Sequence, residues 1–342
     1  MKTITIFMLA VIAATLTYAQ DTTSAYKISH KYSVEGDGSW DYISIDDSSH
    51  HLFISHGTIV QVLDATTGKT IGTITDTKGV HGIAIAKDLN KGFISNGRDT
   101  SVTVFDLKKL TTIEKIKVTG KNPDAILYDP FTHRVFTFNG RDSNATVINA
   151  KTDKVIGTIA LCGKPEFSVT DDNGKIYVNI EDKSKLCMIN PATMKVEQTW
   201  SVAPGEEPSG LAIDTKTHRL FSVTDKLMVI VDALTGKVIT TLPIGDRVDG
   251  VAFDPIKKRA YSSNGDGTLT VVQEVNENTF KVIENVKTQT GARTITVDKL
   301  THKLYLPTAE YGETPPATKE NPHPRPKIKP GTFVILEVEP LK

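Results

Sequence analysis

The chain has 342 residues, 23% of them charged, with Lys+Arg and Asp+Glu equal at 40 each. This is an ordinary globular composition, long enough for a sizeable core, and it excludes a global field that would recruit nucleic acid or an anionic membrane. Any partner must be read by a local site.

The chain opens with Lys2, an almost wholly apolar or small run from Ile4 to Leu16, and Thr17-Tyr18-Ala19 before Gln20. A run this short, followed by small residues, predicts a secretory signal peptide over residues 1–19 rather than a membrane span. No cysteine stands directly after the expected cut to carry a lipid anchor, and no second apolar segment follows it. The expectation is an exported protein, periplasmic or extracellular, with residues 20–342 forming one domain and no transmembrane segment.

Tyr26 to Val34 reads as an isolated outer strand. Beyond it the chain repeats itself, most legibly over residues 120–161, GKNPDAILYDPFTHRVFTFNGRDSNATVINAKTDKVIGTIAL. A Gly-led loop precedes apolar runs at Ala125–Tyr128, Val135–Phe138, Thr146–Ile148 and Val155–Ile159, broken by Asp129-Pro130 and Asn139-Gly140. Alternation interrupted by Gly, Pro, Asn and Asp describes four short strands with tight turns. The pattern aligns as seven copies: 40–73, 80–117, 122–160, 164–202, 207–244, 247–286 and 291 to the C-terminus. A period of about 40 residues with four strands per copy marks propeller blades. The predicted fold is all-β: a seven-bladed propeller of four-stranded antiparallel blades. The last copy lacks one strand, because Phe333 to Val338 fits a third strand. Tyr26 to Val34 is expected to supply the fourth and close the ring.

Two features interrupt the repeat. Cys162 and Cys187, in an exported chain, either pair or pack as two small buried thiols, and with no histidine ligands nearby they do not suggest a zinc site. Between Leu306 and Phe333 the last blade carries the Pro-rich insert 311–330. Prolines this dense cannot sit in a ladder, so the insert is a disordered loop or a lid.

The tetrads Phe136-Thr137-Phe138-Asn139, Tyr177-Val178-Asn179 and Tyr261-Ser262-Ser263-Asn264, followed by Val231-Asp232 and Thr235-Gly236-Lys237-Val238-Ile239 in the same grammar, resemble the YVTN-repeat propellers of the YncE-like family. The resemblance covers nearly everything after the signal peptide. It implies a propeller and no particular activity.

In a propeller the first strand of each blade lines the channel. Its start shares a face with the loop between the second and third strands. Five positions before the first turn, the copies place Asp41, His81, Asp124, Glu166, Ser209, Asp249 and Arg293. Any one of these can be a loop cap; together, converging carboxylates are costly unless a cation, a proton or a basic side chain answers them. Arg293 is expected to neutralise Asp249 and Asp41. His81, between Asp41 and Asp124, is expected to have a raised pKa. Glu166 has no basic ring partner on its far side.

A second ring, from the ends of the second strands, is His56, Asn96, Asn139, Asn179, Thr224, Asn264 and Thr308, and Asn before Gly is also an ordinary turn signal. Asp, Glu and Asn oxygens suit a hard cation, so Asp124, Glu166, Asn139 and Asn179 form a candidate calcium or zinc set with His81 as candidate general base. Arg98 and Arg141, with Arg293, could clamp a carboxylate or phosphate. Trp40 and Phe167 are candidates for an apolar wall or for core. The sequence therefore supports a binding propeller recognising a small polar ligand, a peptide or an envelope protein at the channel mouth. The alternative is a metal-dependent, lactonase-like hydrolase on the same face. Single-stranded DNA binding would need a basic groove with stacking aromatics, against which the balanced charge argues.

Overall fold

The computed structural model describes residues 24–36, 38–319, 322 and 324–341. The expected signal peptide lies outside them. The described residues form seven four-stranded antiparallel sheets, six of them in simple sequence order. Blades 1 to 6 span 40–74, 80–117, 123–160, 165–201, 211–243 and 248–287. Blade 7 is assembled from Thr296–Val297, Leu304–Thr308 and Val334–Pro340, with Tyr26–Ser33 added as its outermost strand. The chain is a seven-bladed β-propeller closed by its N-terminal strand. Among the described residues no helix is long and apolar enough to cross a membrane.

Period-two alternation survives only in the outer strands, such as Lys154–Ala160. The second and third strands are buried on both faces, as in Arg134–Asn139 and Asn144–Asn149, because each blade is packed between two neighbours. One aromatic per blade occupies the same place in the second strand, and Phe53, Phe93, Phe136, Tyr177, Phe221, Tyr261 and Tyr305 are all essentially inaccessible to solvent. Burying such a side chain stabilises the fold by about 2–3 kcal/mol.

The face opposite the channel mouth is fixed by turn carboxylates. Asp254 and Asp298, both fully buried, each accept two backbone N–H bonds at the first turn of their blade, from Ile256 and Lys257 and from Leu300 and Thr301. The same carboxylates reach a neighbouring blade. His302 Nδ1 lies 2.7 Å from Asp254 and His50 Nδ1 2.9 Å from Asp298, so the turns form part of an inter-blade belt.

The closing strand is held by more than its ladder, which runs from Tyr26 opposite Pro340 to Ser33 opposite Val334. Glu337, fully buried on the third strand of blade 7, accepts bonds from Ser29 Oγ at 2.6 Å, Tyr32 OH at 2.8 Å and Lys303 Nζ at 2.9 Å, and His30 Nδ1 lies 3.1 Å away. Ser29, His30 and Tyr32 all belong to the closing strand. Arg259 of blade 6 adds a bond to Tyr26 OH at 2.6 Å and sits over its ring.

Burial alone would raise the Glu337 carboxyl, but the bonds from Ser29, Lys303, Tyr32 and His30 hold it down at about 2. A carboxylate depressed in the folded state stabilises fully above its unfolded value of about 4.3 and loses that contribution as pH falls through the folded value. Glu337→Ala should therefore lower stability near neutrality by about 2–4 kcal/mol. Urea midpoints of the two proteins should converge as the pH is taken from 5 towards 2.

Candidate functional site

The first strands bring Asp41, His81, Asp124, Glu166 and Asp249 to one mouth of the channel, and the segment leading into Thr296–Val297 brings Arg293. Cross-blade bonds fix their backbones. Ser95 Oγ of blade 2 donates to the Asp124 carbonyl, Thr294 Oγ1 of blade 7 donates to the Asp41 carbonyl at 2.5 Å, and Asn179 Nδ2 of blade 4 donates to the carbonyls of Ser209 and Gly210 at 2.9 and 3.0 Å. These bonds satisfy inner-edge carbonyls that a lone sheet would leave open. They also set the height at which each ring side chain emerges.

His81 Nδ1 donates to Asp41 Oδ2 at 2.6 Å and lies 3.5 Å from Asp124 Oδ1. Its other nitrogen faces Gly97, where a Cβ would lie 2.7 Å from Nε2, so only glycine at that position leaves the imidazole its place. Arg293 pairs with Asp249 and donates to the Trp40 carbonyl at 3.2 Å. Lys164 Nζ lies 2.7 Å from Glu166 Oε1 and also pairs with Glu181. Directly beneath, Tyr42 of blade 1 stacks on Phe167 of blade 4, centroids 4.5 Å apart and planes 27° apart. This pair spans the channel. On its other side Ser44, Ile83, Leu127, Ser168, Ile213 and Val297 help to line a cavity of about 500 Å³, so the carboxylates stand on an aromatic floor rather than over an open pore.

The electrostatics follow from that enclosure. Burial, the neighbouring carboxylates Asp124 and Glu181, and only partial relief from Lys164 push Glu166 up to about 8. Burial pushes Asp124 up to about 6, with His81 opposing and Asp41 assisting. Asp249 is raised by burial despite Arg293. Burial would lower His81, yet the Asp41 bond and the Asp124 charge carry it above its usual value. The Tyr42 hydroxyl, buried without a hydrogen-bond partner, is kept protonated by burial and by the field of Asp124 and Asp41. Even with Lys164, Arg293 and a protonated His81, the carboxylates Asp41, Asp124, Glu166, Glu181 and Asp249 outnumber the cations. The mouth holds protons because it lacks positive charge.

Several expected roles are redistributed. Asn139 and Asn179, expected as cation ligands with Asp124 and Glu166, are fully buried, and their amides are already engaged. Asn139 donates to Asn144 and Thr146 and accepts from Thr137, while Asn179 accepts from Ser222 and donates across to blade 5. Asn96 and Asn264 brace the same hairpin in their blades, donating to Ser101 and Thr103 and to Thr268 and Thr270. His56 bonds Gln61 at 2.8 Å beneath Phe333. Thr224 and Thr308 donate to the Leu227 and Thr290 carbonyls. The second ring thus mostly braces hairpins within single blades, and Asn179 ties blade 4 to blade 5. Among the described residues, the His, Cys, Asp and Glu atoms that do converge for a cation are those of Asp41, His81 and Asp124, within 4.8 Å of one another.

Arg98 and Arg141 are exposed beside the mouth, and because Arg293 is committed to Asp249 the three do not form a clamp. Trp40 is core, stacked on Phe333; Phe167 is floor. Lys164, Glu181 and Tyr42 were not expected in the site. Lys164 had a signal, since two residues before Glu166 on an extended chain is the same face. The Pro-rich insert leaves blade 7 between its second and third strands. Its base is a narrow ribbon, with Tyr311 bridged to Ile328 and Gly312 N donating to Lys327 O at 2.8 Å, and Tyr311 packs beside Trp40 on the rim.

No protein-family model and no curated protein sequence matches the chain. Solved structures do. A chain of the mitotic checkpoint complex superposes with a TM-score of 0.75 at 11% identity, covering 100% of this chain and 99% of that one. The WD40 repeats of RRP9 give 0.74 at 7%, covering 92% and 98%. A chain of hydrazine synthase from Kuenenia stuttgartiensis gives 0.70 at 17%, covering 80% and 94%. At identities this low the superpositions show a shared β-propeller fold alone.

A carboxyl raised in the folded state stabilises below its unfolded pKa and loses that advantage as pH rises through the folded value. Glu166→Gln, which leaves the Lys164–Glu181 pair in place, should therefore stabilise the protein at pH 8 by about 1 kcal/mol. The gain should shrink to nothing near pH 5 in parallel urea titrations.

Proposed function

We propose that this chain is an exported binding propeller of the YVTN-repeat type, whose channel mouth takes a positively charged group, the lysine ammonium of a peptide or protein partner. The observation that carries this reading is the surplus of half-buried carboxylates over basic side chains above the Tyr42–Phe167 floor. A lysine side chain has the shape and charge for that site, because its stem can lie on aromatic faces while its ammonium pairs with ionised Asp124 and replaces the proton held by Glu166. WD40-like neighbours support protein recognition in general. The run Ile4–Leu16 supports export, and the tetrads at 136–139, 177–179 and 261–264 support the YVTN-repeat assignment.

One observation favours a second reading, a divalent-cation site serving a hydrolase: the convergence of Asp41, His81 and Asp124. Those residues fit a cation in part. They offer three donors, but His81 must give up the proton it shares with Asp41, and the asparagine oxygens expected to complete the set are engaged elsewhere. The residues that would hold calcium or zinc are these three, and the chemistry supplied would be activation of a bound water.

Thermal-shift titrations at pH 7.5 with a hexalysine peptide, calcium, zinc and a thymidine oligonucleotide separate the readings. The peptide should raise the melting temperature by several degrees, and Asp124→Asn combined with Glu166→Gln should abolish the rise. A shift with calcium or zinc alone, lost in Asp41→Asn, would transfer the site to the second reading. A shift with the oligonucleotide alone, or with none of the four, would overturn the proposal.

A further inference from the structure

Cys162 and Cys187 stand apart from the charged ring but bear on how it is built. Cys162 lies two residues beyond the strand Lys154–Ala160, in the single crossing from blade 3 to blade 4, and is exposed. Cys187 is in the middle of Lys185–Asn190, the third strand of blade 4, fully buried in the apolar layer that includes Phe138 and Val178. The chain has no other cysteine. The two sulfurs lie 2.8 Å apart, against about 2.05 Å for the covalent bond.

We propose that Cys162 and Cys187 form a disulfide, and that this bond pins the blade 3 to blade 4 crossing so that Lys164 and Glu166 are held at the channel mouth. Lys164 and Glu166 follow Cys162 by two and four residues. The crossing is narrow. A Cβ on Gly163 would lie 2.7 Å from Ile180 Cγ2, the Lys164 N–H donates to Asp182 Oδ1 at 2.7 Å, and the Glu181 N–H donates to the Lys164 carbonyl at 2.9 Å. These contacts place the strand start, but they tie it to the 181–183 turn, itself an exposed hairpin end. A cross-link from Cys162 to the buried strand would anchor the crossing to the blade interior, independently of that turn.

The chemistry needs an external disulfide as oxidant, small-molecule or protein-borne. The Cys162 thiolate, the accessible one, attacks a sulfur of that disulfide and releases one external thiolate, giving a mixed disulfide. Cys187 then attacks Cys162 Sγ and releases the second external thiolate, its own proton passing to the leaving group. Two protein thiols are oxidised and one external disulfide is reduced. Burial pushes the Cys187 thiol up to about 12, so it is a poor first nucleophile, which gives Cys162 the first step. The bond closes a segment whose ends are 25 residues apart, long enough for a cross-link to constrain the unfolded chain substantially.

The test uses the full chain after exposure to oxidised glutathione. Denatured in iodoacetamide, it should take up no label, and two labels after prior reduction. Reduction should lower the melting temperature by roughly 5–10 °C, and should leave Cys162→Ser, a change at an exposed position, unmoved. Hydrogen exchange at the amides of Lys164, Glu166 and Phe167 should accelerate at least tenfold on reduction, while blades 1 and 6 keep their protection. Two labels without prior reduction would overturn the bond. A bond whose reduction leaves exchange at Lys164, Glu166 and Phe167 unchanged would overturn its role in the site. Neither readout requires a ligand, so this outcome is separate from that of the binding proposal.

Discussion

Everything at the channel mouth depends on a contact made at the edge of blade 7, where the strand Tyr26–Ser33 pairs with Val334–Pro340 and delivers Ser29, His30 and Tyr32 to the buried Glu337 carboxylate. A propeller left open at this seam would present an unpaired strand edge. It would also lose the registration between blades 7 and 1, across which Thr294 bonds the Asp41 carbonyl and Arg293 bonds the Trp40 carbonyl. Asp41 and Arg293 belong to the ring, so a clasp made far from the mouth determines where two of its side chains stand.

Given a closed ring, the first strands have little choice but to converge, and the residues at their starts decide what the mouth does. Here they are mostly acidic, on an aromatic floor. That arrangement costs stability, and basic side chains from the same chain offset only part of the cost. Asp298 at its turn and Glu337 on its strand look different: they collect backbone, hydroxyl and ammonium donors and are held low, whereas Asp124 and Glu166, and Glu274 away from the mouth, are held high. Carboxylates left short of donors in a concave mouth are better explained by an absent cationic partner than by the needs of the fold. The fold is shared with proteins as different as a mitotic checkpoint chain and a hydrazine synthase chain, so the function must be argued from the site.

The blade count, the strand order and the closure were legible in the sequence, because turn chemistry and apolar runs recur at a fixed period and the last copy is short by one strand. The positions of Asp41, His81, Asp124, Glu166, Asp249 and Arg293 were legible for the same reason: a strand start is a register position. Side-chain partners were less so. Asn139 and Asn179 carry the right oxygens for a cation, but only the three-dimensional spacing of Thr146, Ser222 and the next blade's carbonyls shows those amides to be occupied. Lys164 stands outside both columns of equivalent positions, and nothing local to Tyr42 tells that Phe167, three blades on, lies across the channel. Glu337 has no counterpart signal at all, since three of its partners, Ser29, His30 and Tyr32, come from the other end of the chain.

The most direct test of the mouth as a cation receptor is the number of protons released on binding. Calorimetric titration of the protein with hexalysine at pH 7, repeated in buffers of different ionisation enthalpy, reads that number. If a lysine ammonium displaces the proton held by Glu166, about one proton should leave per peptide bound, and none in the Asp124→Asn, Glu166→Gln variant. Binding with no proton release, or with proton uptake, would contradict the account.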